Sequence, residues 1–208
     1  GIDVYNIEAE AYGARILDPG SRDVPSAERP IAEAAAEILN LHGWDPETES
    51  RFGLAFEAAA MLRDKHPEAV VRTPLGGPFS IASTLMGFDN LLYDSLTDGE
   101  TVREALVFLA RQQLVVARAA AGKGFDVVLF DSAATPPLLS PDLFRDLVMP
   151  ALRVYREGLR GIIPSGSSAP AAPSARNSTR LNSSHGKFTR LPSSARKKKK
   201  HKRAASQQ

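Results

Sequence analysis

Apolar positions along this chain change their spacing several times, and each change predicts an element. GIDVYNI reads as a strand with Ile2, Val4 and Ile7 as its apolar positions. EAEAYG reads as a short helical turn ended by Gly13, ARIL as a second short strand, and DPGSRDVP as a loop. PIAEAAAEILNL predicts a helix with Pro30 at its first position. GWDPETESRFGLAFEAAAMLRDK predicts a longer one, capped by Asp45 with Pro46 in the first turn. Phe52, Ala55, Phe56, Ala59, Ala60 and Leu62 or Arg63 trace its apolar face.

EAVVRTPLGGP is a strand running into a glycine-rich loop, and FSIASTLMG a short helix that Gly87 stops. TDGETVREALVFLARQQLVVARAAAGKG carries the clearest helical period, with Val102, Ala105, Leu106, Leu109, Val116, Ala117 and Ala120 on one side. Thr97 and Glu100 fit a capping box, and Gly122 and Gly124 end the helix. FDVVLFDS is a near-continuous apolar run, the pattern of a strand covered on both faces. After the loop AATPPLL, Ser140 caps PDLFRDLVMPALRVYREG with Pro141 at its first position. Strands alternating with helices predict an α/β fold with parallel strands.

In such folds, sites gather in the loops after the strands. Asn6, Glu8 and Glu10 follow the first strand, Thr73 to Ser80 the second, and Asp131 and Ser132 the third. Glu8 and Glu10 cannot face the same way, so at least one is expected in solvent. Gly76 and Gly77 suit an anion at a helix start or simply a tight turn. They lack a following Lys-Ser/Thr, which excludes a P-loop. Asp131, a carboxylate at the end of a buried strand, is either paired structurally or placed for function. Ser132 has neither a G-x-S-x-G setting nor a nearby His, which argues against a nucleophile. His42 and His66 show no metal-ligand spacing, and Trp44 reads as a packing anchor.

Composition changes the picture only at the C-terminus. Eleven of the 26 Lys and Arg lie after Ile163 and none of the 24 Asp and Glu do, leaving 15 basic against 24 acidic side chains before it, a net −9. An acidic body repels a phosphate backbone. The segment 164–208, rich in Ser, Ala and Pro, cannot bury a core and is expected to be a disordered basic tail. Its seven Lys or Arg within Arg196–Arg203 make nucleic-acid binding the alternative function. There is no Cys, which removes thiolate metal sites and disulfides and is compatible with a cytoplasmic protein. No apolar run is long enough to span a bilayer.

Three stretches together carry a resemblance. GGPFSIASTLMGFDNLLYDSLTDGETVREAL resembles the segment of the uroporphyrinogen decarboxylase superfamily that reads Gly-x-Pro-Phe-[Ser/Thr]-[Ile/Leu]-Ala. AGKGFDVVLFDSAATPPLLSPDLFRDLVMPALR resembles its later strand and helix, with Phe-Asp-Ser and Leu-Ser-Pro-x-x-Phe, and DVYNIEAEAYGARI its early segment ending in Ala-x-Gly. The resemblance runs to about residue 160 and implies a (β/α)8 TIM barrel with its site at the C-terminal mouth. An intact barrel of this type needs about 250 residues. Residues 1–163 are therefore expected to form an incomplete barrel, a fragment that is inactive and aggregation-prone as written.

The superfamily holds cofactor-free decarboxylases of uroporphyrinogen and corrinoid-dependent methyltransferases, often with zinc. The resemblance implies substrate-binding roles for Phe130 and Ser132 and offers Asp3 as a catalytic carboxylate; beside these, the strand-exit residues Asn6, Glu8, Gly76, Gly77 and Phe79 are expected to bind substrate and Asp131 to act as a catalytic carboxylate. Asp3 is one residue too far from Gly13 for the decarboxylase pattern, Thr84 or Leu85 stands where a Tyr belongs, and AATPPLL is two residues longer. These departures favour the methyltransferase branch, whose His-x-Cys zinc motif would lie beyond Ile163. The expected partners are a small tetrapyrrole or a corrinoid protein, with no nucleic acid and no membrane. STRLNSSH and PSSA, at matching spacing in the tail, resemble the translation of a sequencing-library adapter, so the tail is expected to be artefactual.

Overall fold

The computed structural model describes residues 4–18, 20 and 25–160. The predicted tail 164–208, its basic run and Asp3 lie outside the described residues. In chain order the elements are α1 (Val4–Ala11), β1 (Ile16–Leu17), β2 (Ser26–Ala27), α2 (Ala35–Ile38), α3 (Phe52–Lys65), β3 (Arg72–Gly76), α4 (Pro78–Met86), α5 (Phe88–Thr97), α6 (Gly99–Gly122), β4 (Asp126–Phe130), α7 (Pro141–Leu143) and α8 (Met149–Leu159). A single turn at Ser132–Ala134 follows β4, and a π-helical stretch at Phe144–Val148 joins α7 to α8. The strands β1 and β2 form a small antiparallel ladder. β3 and β4 run parallel, with Thr73 opposite Val127 and Gly76 opposite Phe130. The long α6 between them makes a βαβ crossover, as the alternating pattern requires.

Two buried clusters hold the unit together. One gathers Phe79, Ile81, Leu85 and Met86 of α4 against Leu106, Leu109 and Ala110 of α6 and Val148 and Ala151 of the last helix. The other is an aromatic ladder. Tyr12 meets Trp44 edge-on at 5.8 Å, and Trp44 stacks on Phe52 at 6.1 Å. Phe52 then contacts Phe56, and Phe56 contacts Phe125 at the base of β4. Burying each such ring contributes about 1.5–3 kcal/mol. Gly158 lets α8 approach α6, because a Cβ there would overlap the Leu114 side chain. All seven apolar positions predicted for α6 are buried.

Five expectations need correction. Val4–Ala11 is a helix rather than a strand: Asn6, Ile7, Glu8 and Ala9 are buried in succession, which a one-sided strand cannot achieve, and the Ala and Glu content suits a helix. The helix expected from Pro30 shrinks to Ala35–Ile38, because the Ile31 and Ala32 amides are spent on the Leu85 carbonyl at the end of α4. Asp45 closes its own turn by accepting from the Glu47 and Thr48 amides, so α3 starts only at Phe52. The cap of α6 is Asp98, which accepts from the Thr101 amide, while Thr97 is turned back to the Tyr93 carbonyl. β4 is half-buried and its Phe130 is 49% exposed, because among the described residues it has one strand neighbour and helices on one face.

The last helix keeps Pro150 in its interior. The Met149 amide reaches back five residues to the Phe144 carbonyl, and this wider turn relieves the clash a proline ring imposes on the preceding turn. Ser140 caps this helix as expected, accepting from the Leu143 amide.

Candidate functional site at the strand exits

The β3–α4 turn, Gly76-Gly77-Pro78, lies against the end of β4 at the C-terminal ends of both parallel strands. The Gly77 amide donates to the Phe130 carbonyl at 2.5 Å, which extends the ladder by one bond. A Cβ at Gly77 would overlap Cβ and Cγ of Asp131, so only glycine lets the two strand exits close on each other. Pro78 opens α4, and its exposed donors are the next two amides. Asp131 meets both. It accepts from the Ser80 amide at 2.8 Å, the Ser80 hydroxyl at 2.7 Å and, more weakly, the Phe79 amide at 3.4 Å. The Ser80 hydroxyl in turn accepts from the Ala133 amide at 3.0 Å. Asp131 thus caps α4 from a different strand. Burial raises its pKa, and the three donors pull against that rise.

A second carboxyl holds the other side of the turn. Glu8, 1% exposed, accepts from the Gly76 amide at 3.0 Å. The Gln113 amide of α6 donates to the Gly76 carbonyl, so both peptide groups of Gly76 are used. Burial pushes Glu8 up to about 8; the Gly76 amide and Gln113 oppose the rise, and the Asp131 charge adds to it. The Glu8 charge also acts on Tyr12 and Tyr155, both pushed well above the ordinary phenol range, chiefly by burial. Glu10 points the opposite way and pairs with Arg51 in solvent, as the spacing of the two glutamates requires.

The outward face is built from Tyr5, Phe130 and Ser132. The Tyr5 hydroxyl lies 2.9 Å from the Ser132 hydroxyl, tying α1 to the turn after β4. Ser132 is exposed. Among the residues singled out from sequence, Glu8, Gly76, Gly77, Phe130, Asp131 and Ser132 therefore converge. Phe79 sits fully buried in the core beneath them, and Asn6 turns aside to donate to the Pro25 carbonyl. Asp3 is not among the described residues. Sequence reasoning missed Tyr5 and Gln113, and it reached Ser80 only as the end of the stretch Thr73 to Ser80, with no role of its own. Gln113 had a signal: it falls on the buried face of α6, in step with Leu106, Leu109 and Ala117. Among the described residues no group of three or more His, Cys, Asp or Glu could hold a metal ion, so they do not supply a zinc site.

A parallel strand pair joined by helices, with polar side chains collected at its C-terminal end, defines an α/β unit, and its family and its likeness in fold make it TIM-barrel-like. The chain belongs to the uroporphyrinogen decarboxylase (URO-D) family, whose pattern it matches over residues 3–167. It is 25% identical over 115 residues to the Methylcobamide:CoM methyltransferase MtaA of Methanosarcina barkeri (strain Fusaro / DSM 804), covering 54% of this chain and 34% of that protein. A second Methanosarcina barkeri MtaA sequence matches to the same extent. In fold it is similar to a methyltransferase from Methanosarcina mazei, with a TM-score of 0.65, 22% identity, and coverage of 74% of this chain and 46% of that one. The chain thus spans about a third of the length of the curated relatives it matches.

Proposed function

We propose that this chain forms part of a corrinoid-dependent methyltransferase that moves a methyl group from a methylated cobamide to a thiol, rather than a uroporphyrinogen decarboxylase. The observation that carries this reading is the likeness to methylcobamide:CoM methyltransferases over 115 residues. The positions where the decarboxylase pattern has a Tyr support it. Thr84 is bonded back to the Ser80 carbonyl within α4 and Leu85 is fully buried, so neither offers a phenol to the mouth. The half-exposed Phe130 and the exposed Ser132 supply apolar contact and a hydrogen-bonding hydroxyl where a substrate would arrive. The uncovered apolar face of β4 supports reading β3 and β4 as neighbours within a larger barrel.

Protein expressed from the intact gene, incubated anaerobically with methylcobalamin and coenzyme M, is expected to bleach the methylcobalamin absorbance and yield the methyl thioether. The same preparation is expected to leave uroporphyrinogen III unchanged. Decarboxylation in place of methyl transfer overturns the proposal. Residues 1–208 alone are expected to be inert in both assays, and turnover by that chain would refute this.

A further inference from the structure

We infer that Asp131 and Ser80 are positioning residues: together they clamp the β4 exit onto the start of α4, and so fix where Ser132 and Phe130 face the substrate. The inference rests on the proposed reading of the strand exits as the reaction site, and it changes the part Asp131 plays there.

Both carboxylate oxygens of Asp131 are directed into the protein. Oδ1 takes the Ser80 amide and hydroxyl, and Oδ2 takes the Phe79 amide. The carboxylate also fills the space a Cβ at Gly77 would need. A group so engaged is poorly placed to take a proton from a substrate. Ser80 does double work: its hydroxyl donates to Asp131 and accepts from the Ala133 amide. Asp131 and Ala133 flank Ser132, so both peptide neighbours of Ser132 are tied to one hydroxyl. With its backbone held on both sides, the Ser132 hydroxyl meets Tyr5 at 2.9 Å and stays at the surface. Phe130, the residue before Asp131, is held through its carbonyl by the Gly77 amide and projects outward. A loop fixed at three successive points presents its side chains in one orientation, which is what reaction geometry demands.

The test compares Asp131→Asn, Ser80→Ala, Ser80→Thr and the double variant Asp131→Asn/Ser80→Ala. Amide exchange over residues 76–80 and 131–134 of the full chain reads the clamp with no substrate present. Ser80→Ala is expected to speed exchange at Ala133 about fivefold, the scale of one lost hydrogen bond. Ser80→Thr, which keeps the hydroxyl, is expected to restore protection. Unchanged exchange in Ser80→Ala overturns the clamp, and it does so whether or not the protein transfers methyl groups. In intact-gene protein assayed with methylcobalamin and coenzyme M, Asp131→Asn and Ser80→Ala are each expected to lower kcat/KM roughly tenfold to a hundredfold. The double variant is expected to lose no more than the worse single one, because the two residues act as a unit. Asp131→Asn losing about a thousandfold or more while Ser80→Ala stays near wild type, the signature of a missing general base, overturns the inference. Losses that multiply in the double variant overturn it as well.

Discussion

The exits of β3 and β4 are each held by a carboxyl that accepts from backbone amides, yet the two carboxyls live in different surroundings. Glu8 comes from α1, is cut off from solvent, and has one backbone donor and one side-chain amide within reach. Asp131 sits at a strand end, is only part-buried, and has three donors aimed at it. Burial raises both, Glu8 to about 8. The two differ in depth of burial and in how many donors oppose the loss of water. Near neutral pH, Glu8 is therefore an uncharged acid packed as a core group. Asp131 keeps the donors that let a carboxylate cap a helix from outside its own sequence.

The largest effect expected follows from Glu8. Its folded value lies above its ordinary value of 4.5, so the folded state holds a proton that the unfolded chain releases. That stability is fully present below 4.5 and is lost as pH rises through about 8, in all roughly 5 kcal/mol. Asp131, shifted the same way, adds to this slope. Urea midpoints measured from about pH 5 to about pH 9 should fall for the wild type, and Glu8→Gln should flatten the curve and gain most above pH 8. A flat wild-type curve would break the contrast between the two carboxyls.

Gly77→Ala comes next. It drives a methyl into Asp131 and is expected to cost about 3 kcal/mol or more, read from the same midpoints. Gly76→Ala should cost less, since its nearest neighbour is the flexible end of Ile81 at 2.5 Å. Gln113→Leu should cost about 2 kcal/mol by stranding the Gly76 carbonyl, and should push the Glu8 transition to higher pH by removing an opposing donor. The smallest effect serves as the control. Asp98→Ala, remote from both exits, should cost about 0.5–1 kcal/mol and leave the pH dependence unchanged, its bond to the Thr101 amide being 3.4 Å long.

What was legible in the sequence tracks how locally each feature is determined. β3, α4, α6, β4 and the helix from Pro141 were legible because Gly, Pro and a long apolar period mark them within their own residues. α1 was not, because Ile2, Val4 and Ile7 fit a strand and only the surrounding helices reveal that α1 is buried on several sides. Asp131 drew notice from its own position at a strand end. Its partner Ser80 lies 51 residues away, at the end of another candidate stretch, and nothing local pairs the two. Glu8 and Glu10 could be told apart only as facing different ways, since which of them is buried depends on β3 and α6 closing over α1.

The aromatic ladder gives the protein its own optical gauge. Trp44 is the only tryptophan in the chain, 6% exposed, with its ring plane 5° from that of Phe52. Its other neighbour is Tyr12, in the turn that follows α1, whose amide donates to the Glu8 carbonyl and whose phenol is sensitive to the Glu8 charge. While α1 is seated, the indole emits from a dry, stacked environment. If α1 lifts as Glu8 loses its proton, the emission shifts to the red and the tyrosine-to-tryptophan energy transfer falls. The protonation of one hidden carboxyl can thus be followed by native fluorescence, without a label and without a substrate.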